Sequence, residues 1–209
     1  MRIDALKTSP DRAGRYWVTF SDGTKMGLYR QTVEDFGLYP GKELSEQEQE
    51  ALEAAAGQMS AKMRAVRIVS ATSVSKKDLE SRLVRKGEDP QQAKNAVQWM
   101  EDLHLLDDRT TAEQVVRSCV SKGYGLQRAK QALYEKRIPK EYWEEALEDY
   151  PDQEAKIESF LRARLDADSD EKQIKRAIDG LIRRGHSYGT IRRVLNNLSF
   201  ETEDYLEEF

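Results

Sequence analysis

The 209-residue chain has one cysteine and two histidines. A single cysteine, Cys119, excludes an internal disulfide and any metal site built from several cysteines. We interpret it as a buried thiol. His104 and His186 are too few for a metal site that has no cysteine ligands. The sequence therefore predicts no disulfide, no metal and no cofactor.

Long hydrophobic segments are also absent from the sequence. No apolar run approaches the roughly 18 residues of a membrane-spanning helix, and residues 1–4 lack the apolar stretch of a signal peptide. We therefore expect a cytoplasmic protein that does not associate with membranes. The net charge of −4 excludes a uniformly basic nucleic-acid-binding protein, but with 34% charged residues local basic patches remain open.

What the sequence does contain is a weak internal repeat with a period of about 50 residues. Leu83-x-x-x-Gly87 aligns with Leu133-x-x-x-Arg137 and with Leu181-x-x-x-Gly185. The apolar positions of each copy have the spacing of two short helices joined by a tight turn. Such a period is typical of stacked helical units, which commonly form binding surfaces. An enzyme is therefore the least favoured class.

The first 44 residues differ from this helical pattern. Residues 16–20 and 24–28 are rich in β-forming side chains, and Asp22-Gly23 between them favours a hairpin turn. Residues 3–6 can supply a third strand. We expect a small module that packs on the residues that follow, because about 40 residues is near the lower limit for independent folding.

The sequence thus predicts a mainly α fold with a small N-terminal module containing a β-hairpin. Tandem three-helix repeats are expected to form an elongated, curved solenoid. The expected segments are the N-terminal module at 1–44, a connecting helix at 45–60, repeats at 61–106, 107–151 and 152–199, and an acidic tail at 200–209.

Several residues mark the expected helix ends. Ser45 and Glu48 form a capping-box pattern, and Gly57 is expected to kink or end the helix that follows. Asp107 or Asp108 is expected to cap the next repeat's first helix. Residues 122–125 (Lys-Gly-Tyr-Gly) lack the ending of a phosphate-binding loop, so we interpret them as a helix-terminating turn.

The order of these features resembles the RecX family of regulatory proteins. The resemblance covers about residues 60–200. It rests on Ser75-x-x-Asp78-Leu79-x-x-x-Leu83-x-x-Lys86-Gly87, on Leu105-Leu106-Asp107-Asp108-x-x-x-Ala112, and on Lys122-Gly123-x-Gly125-x-x-x-Ala129-x-x-x-Leu133-x-x-Lys136. Family members often have Lys-Gly-Ile where this chain has Lys136-Arg137-Ile138. Loss of that glycine is expected to change the local C-cap.

The resemblance implies a regulator of the RecA recombinase that acts without catalysis. RecX proteins lie in the groove of the RecA–DNA filament and contact several subunits. They suppress filament growth, strand exchange and the co-protease activity that triggers the SOS response in DNA repair. We therefore expect the RecA filament as partner, DNA bound weakly or within the filament, and a monomeric protein.

Basic residues supply the candidate contacts with RecA or DNA. Together with one tyrosine they are Arg82, Arg85, Lys86, Arg117, Lys122, Tyr124, Arg128, Arg162, Arg164, Lys175, Arg176, Arg183, Arg184, Arg192 and Arg193. The alternative for each basic residue is a solvated helix face with intrahelical ion pairs. Tyr124 is either an exposed contact or packed on a neighbouring helix.

Two other functions remain open at this stage. One is a helical protein that binds nucleic acid directly, and the other is a helical scaffold for a different protein partner. The acidic tail either shields the third repeat's basic residues or only aids solubility.

Overall fold

The computed structural model describes residues 1–10, 14–166 and 168–198. The fold is mostly helical with a small N-terminal sheet, which confirms the predicted fold class. The chain divides into two compact units. Of the described residues, unit 1 contains those within 1–72 and 76–106, and unit 2 contains Ser73–Ser75 and those within 107–198. The predicted acidic tail at 200–209 lies outside the described residues.

Unit 1 begins with a three-stranded antiparallel sheet in the order β1-β2-β3. Its strands are β1 (Ile3–Thr8), β2 (Arg15–Phe20) and β3 (Lys25–Tyr29). Gly23 has a φ of 85° in the predicted turn. The Asp22 carboxylate accepts hydrogen bonds from the hydroxyl and the backbone N–H of Thr24, and these bonds lower the pKa of Asp22. All three predicted strands are therefore present.

The helices of unit 1 follow the sheet. They are α1 (Arg30–Asp35), α2 (Glu46–Ala71), α3 (Lys76–Arg85) and α4 (Pro90–Asp102). Leu52 of α2 belongs to the same buried cluster as Ile3, Val18 and Leu28 of the sheet. The sheet therefore packs on the helix that follows, as expected for a module of this size.

Helix α2 corrects one expectation. It is a single helix of 26 residues that begins with the predicted capping box of Ser45 and Glu48. Gly57 lies inside this helix, and so does the segment boundary expected between residues 60 and 61. Leu52, Ala61 and Ala65 are fully buried on either side of the glycine. Packing along this face outweighs the cost of about 1 kcal/mol that glycine brings to a helix interior.

Unit 2 contains two groups of helices. The middle group is α5 (Asp108–Ser121), α6 (Leu126–Glu135) and α7 (Trp143–Leu147), with a 3₁₀ turn (Lys140–Tyr142) before α7. The last group is α8 (Glu154–Arg162), α9 (Glu171–Arg183) and α10 (Tyr188–Asn197). The residues after Pro139 thus form a 3₁₀ turn and a five-residue helix.

Each of these two groups has its own core. In the middle group, Ala112, Val116 and Leu133 are buried, and partly exposed aromatic residues including Trp143 pack around them. The last group has a larger buried cluster, and all of its members are aliphatic. Its members are Ile157, Leu161, Leu165, Ile174, Ala177, Ile178, Leu181, Ile191, Val194 and Leu195.

The three aligned leucines of the repeat occupy equivalent places in their helices. Leu83, Leu133 and Leu181 are all buried, and the backbone carbonyl of each accepts a hydrogen bond from the residue five positions later. These bonds close the helix ends in the Schellman pattern. The division into three repeats with the stated boundaries stays a prediction.

The left-handed residue in this turn corrects a second expectation. Gly87 and Gly185 have φ values of 89° and 85°, and Arg137 at the aligned position has a φ of 55°. Ile138 N–H still donates to the Leu133 carbonyl at 3.1 Å. The C-cap is therefore kept without glycine, because Arg137 itself adopts the left-handed backbone conformation, which is unfavourable for residues other than glycine.

Candidate partner-binding surface

Many of the predicted contact residues are already engaged in ion pairs. Three of these pairs join residues four positions apart on one helix, the arrangement that stabilises solvated helices. The pairs are Arg82 with Asp78, Arg117 with Glu113, Arg162 with Glu158, Arg128 with Glu135 and Arg193 with Glu154. For Arg82, Arg117 and Arg162, the intrahelical ion pair of the alternative interpretation is present.

A second set of predicted cations has no ion-pair partner within the described ranges. Its members are Arg85, Lys86, Lys122, Arg176, Arg183 and Arg192, and all six are exposed. Arg176 and Arg183 are seven positions apart on α9, so they share one side of that helix. Lys175 is exposed but has an interaction partner.

An aromatic ring brings two predicted arginines together. The guanidinium carbon of Arg164 lies 3.7 Å from the centre of the Phe160 ring, and that of Arg184 lies 4.7 Å from it. Both distances are within the range of a cation–π contact. Arg164 follows the end of α8 and Arg184 caps α9. The Phe160 ring therefore fixes two positive charges from different helices on one face of the last group.

The turn between α5 and α6 and the turn after α9 touch through their backbones. The N–H of Gly125 donates to the carbonyl of Arg184 at 2.9 Å, and the N–H of Gln127 donates to the carbonyl of Gly185 at 3.2 Å. A side chain at Gly125 would overlap the carbonyl oxygen of Gly185. Glycine at both positions therefore allows the two turns to approach this closely.

The segment Ser73–Ser75 of unit 2 makes a similar contact with the turn after α6. The hydroxyl of Ser75 donates to the carbonyl of Lys136 at 2.6 Å, and the Lys136 ammonium donates to the carbonyl of Ser73 at 2.9 Å. Ser73 and Ser75 align with Gly123 and Gly125 in the 50-residue frame. Ser75 and Gly125, which are aligned, therefore each donate a hydrogen bond to the turn of the following helical group, at Lys136 and Arg184.

His186 is a buried polar residue in the contact between the two groups. Its Nε2 atom lies 3.1 Å from the carbonyl oxygen of Gly123. Because a carbonyl can only accept, Nε2 carries the proton and donates it. Burial is the largest cause that lowers the pKa of His186, so the ring is neutral at pH 7. A cleft of about 420 Å³ lies beside it, lined in part by Tyr150 and Arg193.

Tyr124 and Cys119 are held inside the middle group. Tyr124 is half-buried, and its backbone carbonyl accepts a hydrogen bond of 2.6 Å from the Tyr150 hydroxyl. Burial raises the pKa of Tyr150 to about 12, so this hydroxyl keeps its proton. Cys119 is buried as predicted, and burial raises the pKa of its thiol.

Two residues of this surface, Phe160 and His186, were not predicted from the sequence. The i, i+4 spacing of Phe160 and Arg164 is a signal for their contact, but no local pattern indicates that Arg184 shares the ring. His186 was considered only as a metal ligand. Its partner Gly123 is 63 residues away, and no local signal connects the two.

Known proteins similar in sequence to this chain are described as RecX proteins. A sequence family described as "RecX, second three-helix domain" matches residues 107–147, which contain α5, α6 and α7. A regulatory protein RecX of Clostridioides difficile is 26% identical over 204 residues, covering 94% of each chain. One of Vibrio parahaemolyticus is 28% identical over 149 residues, covering 70% of this chain and 94% of that protein. These matches support the RecX family for this chain.

Solved RecX structures share the fold. A crystal structure of regulatory protein RecX aligns with a TM-score of 0.60 at 20% identity, covering 93% of this chain and 98% of that one. RecX from Lactobacillus salivarius aligns with a TM-score of 0.57 at 23% identity, covering 69% and 97%. At these identities the two structures show that the fold is shared.

Two further observations concern metal binding and membrane-spanning helices in the described part of the chain. No group of three or more His, Cys, Asp and Glu side chains is placed to hold a metal ion there. The helices of these same residues are all too short or too polar to cross a membrane.

Proposed function

We propose that this RecX-family protein inhibits RecA by binding in the groove of the RecA–DNA filament. Its helical groups contact more than one RecA subunit and thereby block filament extension, strand exchange and co-protease activity. Successive groups on one chain bind at a high effective concentration, which favours bridging of subunits. The mechanism needs no catalysis, and its effect on ATP hydrolysis is indirect.

The exposed cations of the last group carry this proposal. Arg176, Arg183 and Arg192 have no carboxylate partner among the residues that the structure describes, although Asp179 lies on α9 between the first two. Unpaired arginines are free to bind carboxylates of RecA or phosphates of its DNA in two-pronged hydrogen bonds. Arg164 and Arg184, held by Phe160, extend the same kind of surface.

The test is DNA-dependent ATP hydrolysis by RecA of the same organism, with the protein added at less than one molecule per RecA subunit. We expect inhibition by the natural chain. The triple variant Arg176→Gln, Arg183→Gln and Arg192→Gln should need about tenfold more protein for half-inhibition, because it loses several charge-assisted contacts.

A matched control removes three exposed positive charges that are not candidate contact residues. The variant Lys77→Gln, Lys94→Gln and Arg109→Gln makes the same change in net charge, and the exposed ion pair that it loses at Arg109 contributes little to stability. We expect it to inhibit within about twofold of the natural chain. Absence of both inhibition and RecA binding at stoichiometric excess would contradict the proposal. Tight, steeply salt-dependent binding to free DNA would instead favour a direct nucleic-acid-binding function.

A further inference from the structure

Unit 1 contains a groove whose walls carry four positive side chains. The groove has a volume of about 400 Å³ and lies along the C-terminal parts of α2 and α3. The residues that matter in its lining are Arg64, Arg67, Ile68, Ala71, Arg82 and Lys86. Arg82 and Lys86 are predicted contact residues, whereas Arg64 and Arg67 are not among them.

Two of these cations already hold carboxylates of this chain. Nε of Arg64 lies 2.7 Å from Oε1 of Glu88, whose side chain is only 7% exposed. Arg82 binds both carboxylate oxygens of Asp78, at 3.1 Å and 2.9 Å. Within unit 1 this groove is therefore already built to bind carboxylates through guanidinium groups.

The other two cations have no carboxylate partner in the described part of unit 1. The guanidinium of Arg67 donates only to neutral oxygens, the Met63 carbonyl at 3.2 Å and the Tyr29 hydroxyl at 3.4 Å. The exposed ammonium of Lys86 has no hydrogen-bonded side-chain partner among the described residues. Its backbone carbonyl accepts a bond of 2.7 Å from Arg64, which fixes the chain at this point. The groove thus has an excess of positive charge.

The uncharged part of the lining decides which anion fits best. Ile68 and Ala71 add aliphatic side chains to it, each one helical turn after Arg64 and Arg67 on α2. None of the groove's lining residues is aromatic. Proteins that bind single-stranded nucleic acid combine positive charge with aromatic rings on which the bases stack. A lining of cations and aliphatic side chains instead matches a peptide with carboxylates on both sides of an aliphatic side chain.

We propose that this groove binds a short acidic segment of a partner protein. One carboxylate of the segment binds Arg67, a second binds Lys86, and an aliphatic side chain between them packs on Ile68 and Ala71. Charge complementarity supplies the recognition, and the aliphatic contact supplies the selection among acidic sequences. This inference deepens the proposed function, since Arg82 and Lys86 are among its contact residues, but its test requires no RecA.

The experiment measures binding of a fluorescently labelled peptide, Gly-Glu-Leu-Glu-Gly, to the full chain by anisotropy at low salt. We expect saturable binding that weakens with added salt. Changing both glutamates of the peptide to glutamine, or its leucine to glycine, should each weaken binding. The double variant Arg67→Gln and Lys86→Gln should raise the Kd at least about tenfold.

The control variant is Lys77→Gln with Lys94→Gln, two exposed lysines of unit 1 that do not line the groove. It makes the same change in net charge and should change the Kd by less than about twofold. The single variant Lys86→Gln should weaken binding with an unchanged unfolding midpoint, which separates loss of binding from loss of folding.

Three results would overturn the inference. One is no binding of the acidic peptide at about millimolar protein, and another is an equal loss of affinity in both double variants. The third is a short oligothymidylate that binds through Arg67 and Lys86 while the peptide does not, which would assign the groove to nucleic acid. RecA inhibition by the natural chain could persist in all three cases, so the two proposals fail separately.

Discussion

The turn after α6 and the turn after α9 have the same backbone conformation but differ in the space around it. Arg137 and Gly185 both have positive φ, and both turns close with the Schellman hydrogen bonds. The backbone of Arg128 packs directly against Gly185, where even a Cβ atom would overlap it. At Arg137 an entire long side chain is accommodated.

This difference separates two reasons for a glycine in a helix-ending turn. Conformation alone favours glycine by about 1 kcal/mol, and other interactions in a fold can offset that amount. A close approach of two backbones cannot be offset in the same way, because no rotamer moves a Cβ atom. Departure from the RecX pattern at Arg137 therefore leaves the fold intact, and we expect a departure at Gly185 to disrupt it.

The largest effect is expected from a methyl group placed in the backbone contact between Gly125 and Gly185. In Gly125→Ala the new carbon would overlap the Gly185 carbonyl and the His186 nitrogen, so the two turns must separate. We expect a loss of about 3 kcal/mol in the free energy of unfolding, measured by urea denaturation. Gly189→Ala, in open space on α10, should instead gain about 0.5–1 kcal/mol. Equal effects of the two substitutions would contradict the close-approach argument.

A smaller effect is expected from the histidine in the same contact. His186→Phe leaves the Gly123 carbonyl without its donor and should lower the free energy of unfolding by about 2 kcal/mol at pH 7.5. The pH dependence gives a second measurement. Because the folded state lowers the pKa of His186 below its ordinary 6.5, the unfolded chain takes up the proton first as pH falls.

Stability from this group is therefore complete above pH 6.5 and decreases as pH falls below that value. His186→Gln can keep the hydrogen bond but cannot titrate. Urea denaturation between pH 7.5 and pH 5 should show a smaller decrease for this variant than for the natural chain. Parallel curves for the two proteins would show that His186 does not contribute to the pH dependence.

The smallest effect is expected at Arg137, in the turn after α6. Arg137→Gly should raise the free energy of unfolding by about 1 kcal/mol, because glycine adopts the positive φ without strain. Arg137→Ala serves as the control, since it removes the same side-chain contacts and keeps the backbone strain. The informative value is the difference between the two variants in thermal or urea denaturation. No difference between them would mean that the turn is unstrained.

Local signals predicted the parts of this fold that depend on neighbouring residues. The capping box at Ser45 and the Asp107 cap follow from side chains that bond to the next turn of backbone, and both are present. The caps of the last group show the limit of such signals. Asp170, rather than the neighbouring Ser169, caps α9, because Gln173 completes a capping box with it.

The candidate site was less predictable, because its decisive contacts join distant parts of the chain. The basic residues could be found by composition, but the sequence does not show which of them are paired. Arg193 pairs with Glu154, 39 positions away, and so differs from its neighbour Arg192. The contact of Gly125 with Arg184 likewise joins residues whose own surroundings indicate only two ordinary turns.

The contact between the middle and last groups also has a consequence for how such chains grow. Its hydrogen bonds at Gly125 and Gln127 join backbone atoms, and the close approach requires glycine only at positions 125 and 185, so most side chains are left unconstrained. A duplicated copy of a three-helix group would carry both halves of this connection with it. Chain length could then change by whole groups through gene duplication, while the outer surface of each copy diverges toward its own target.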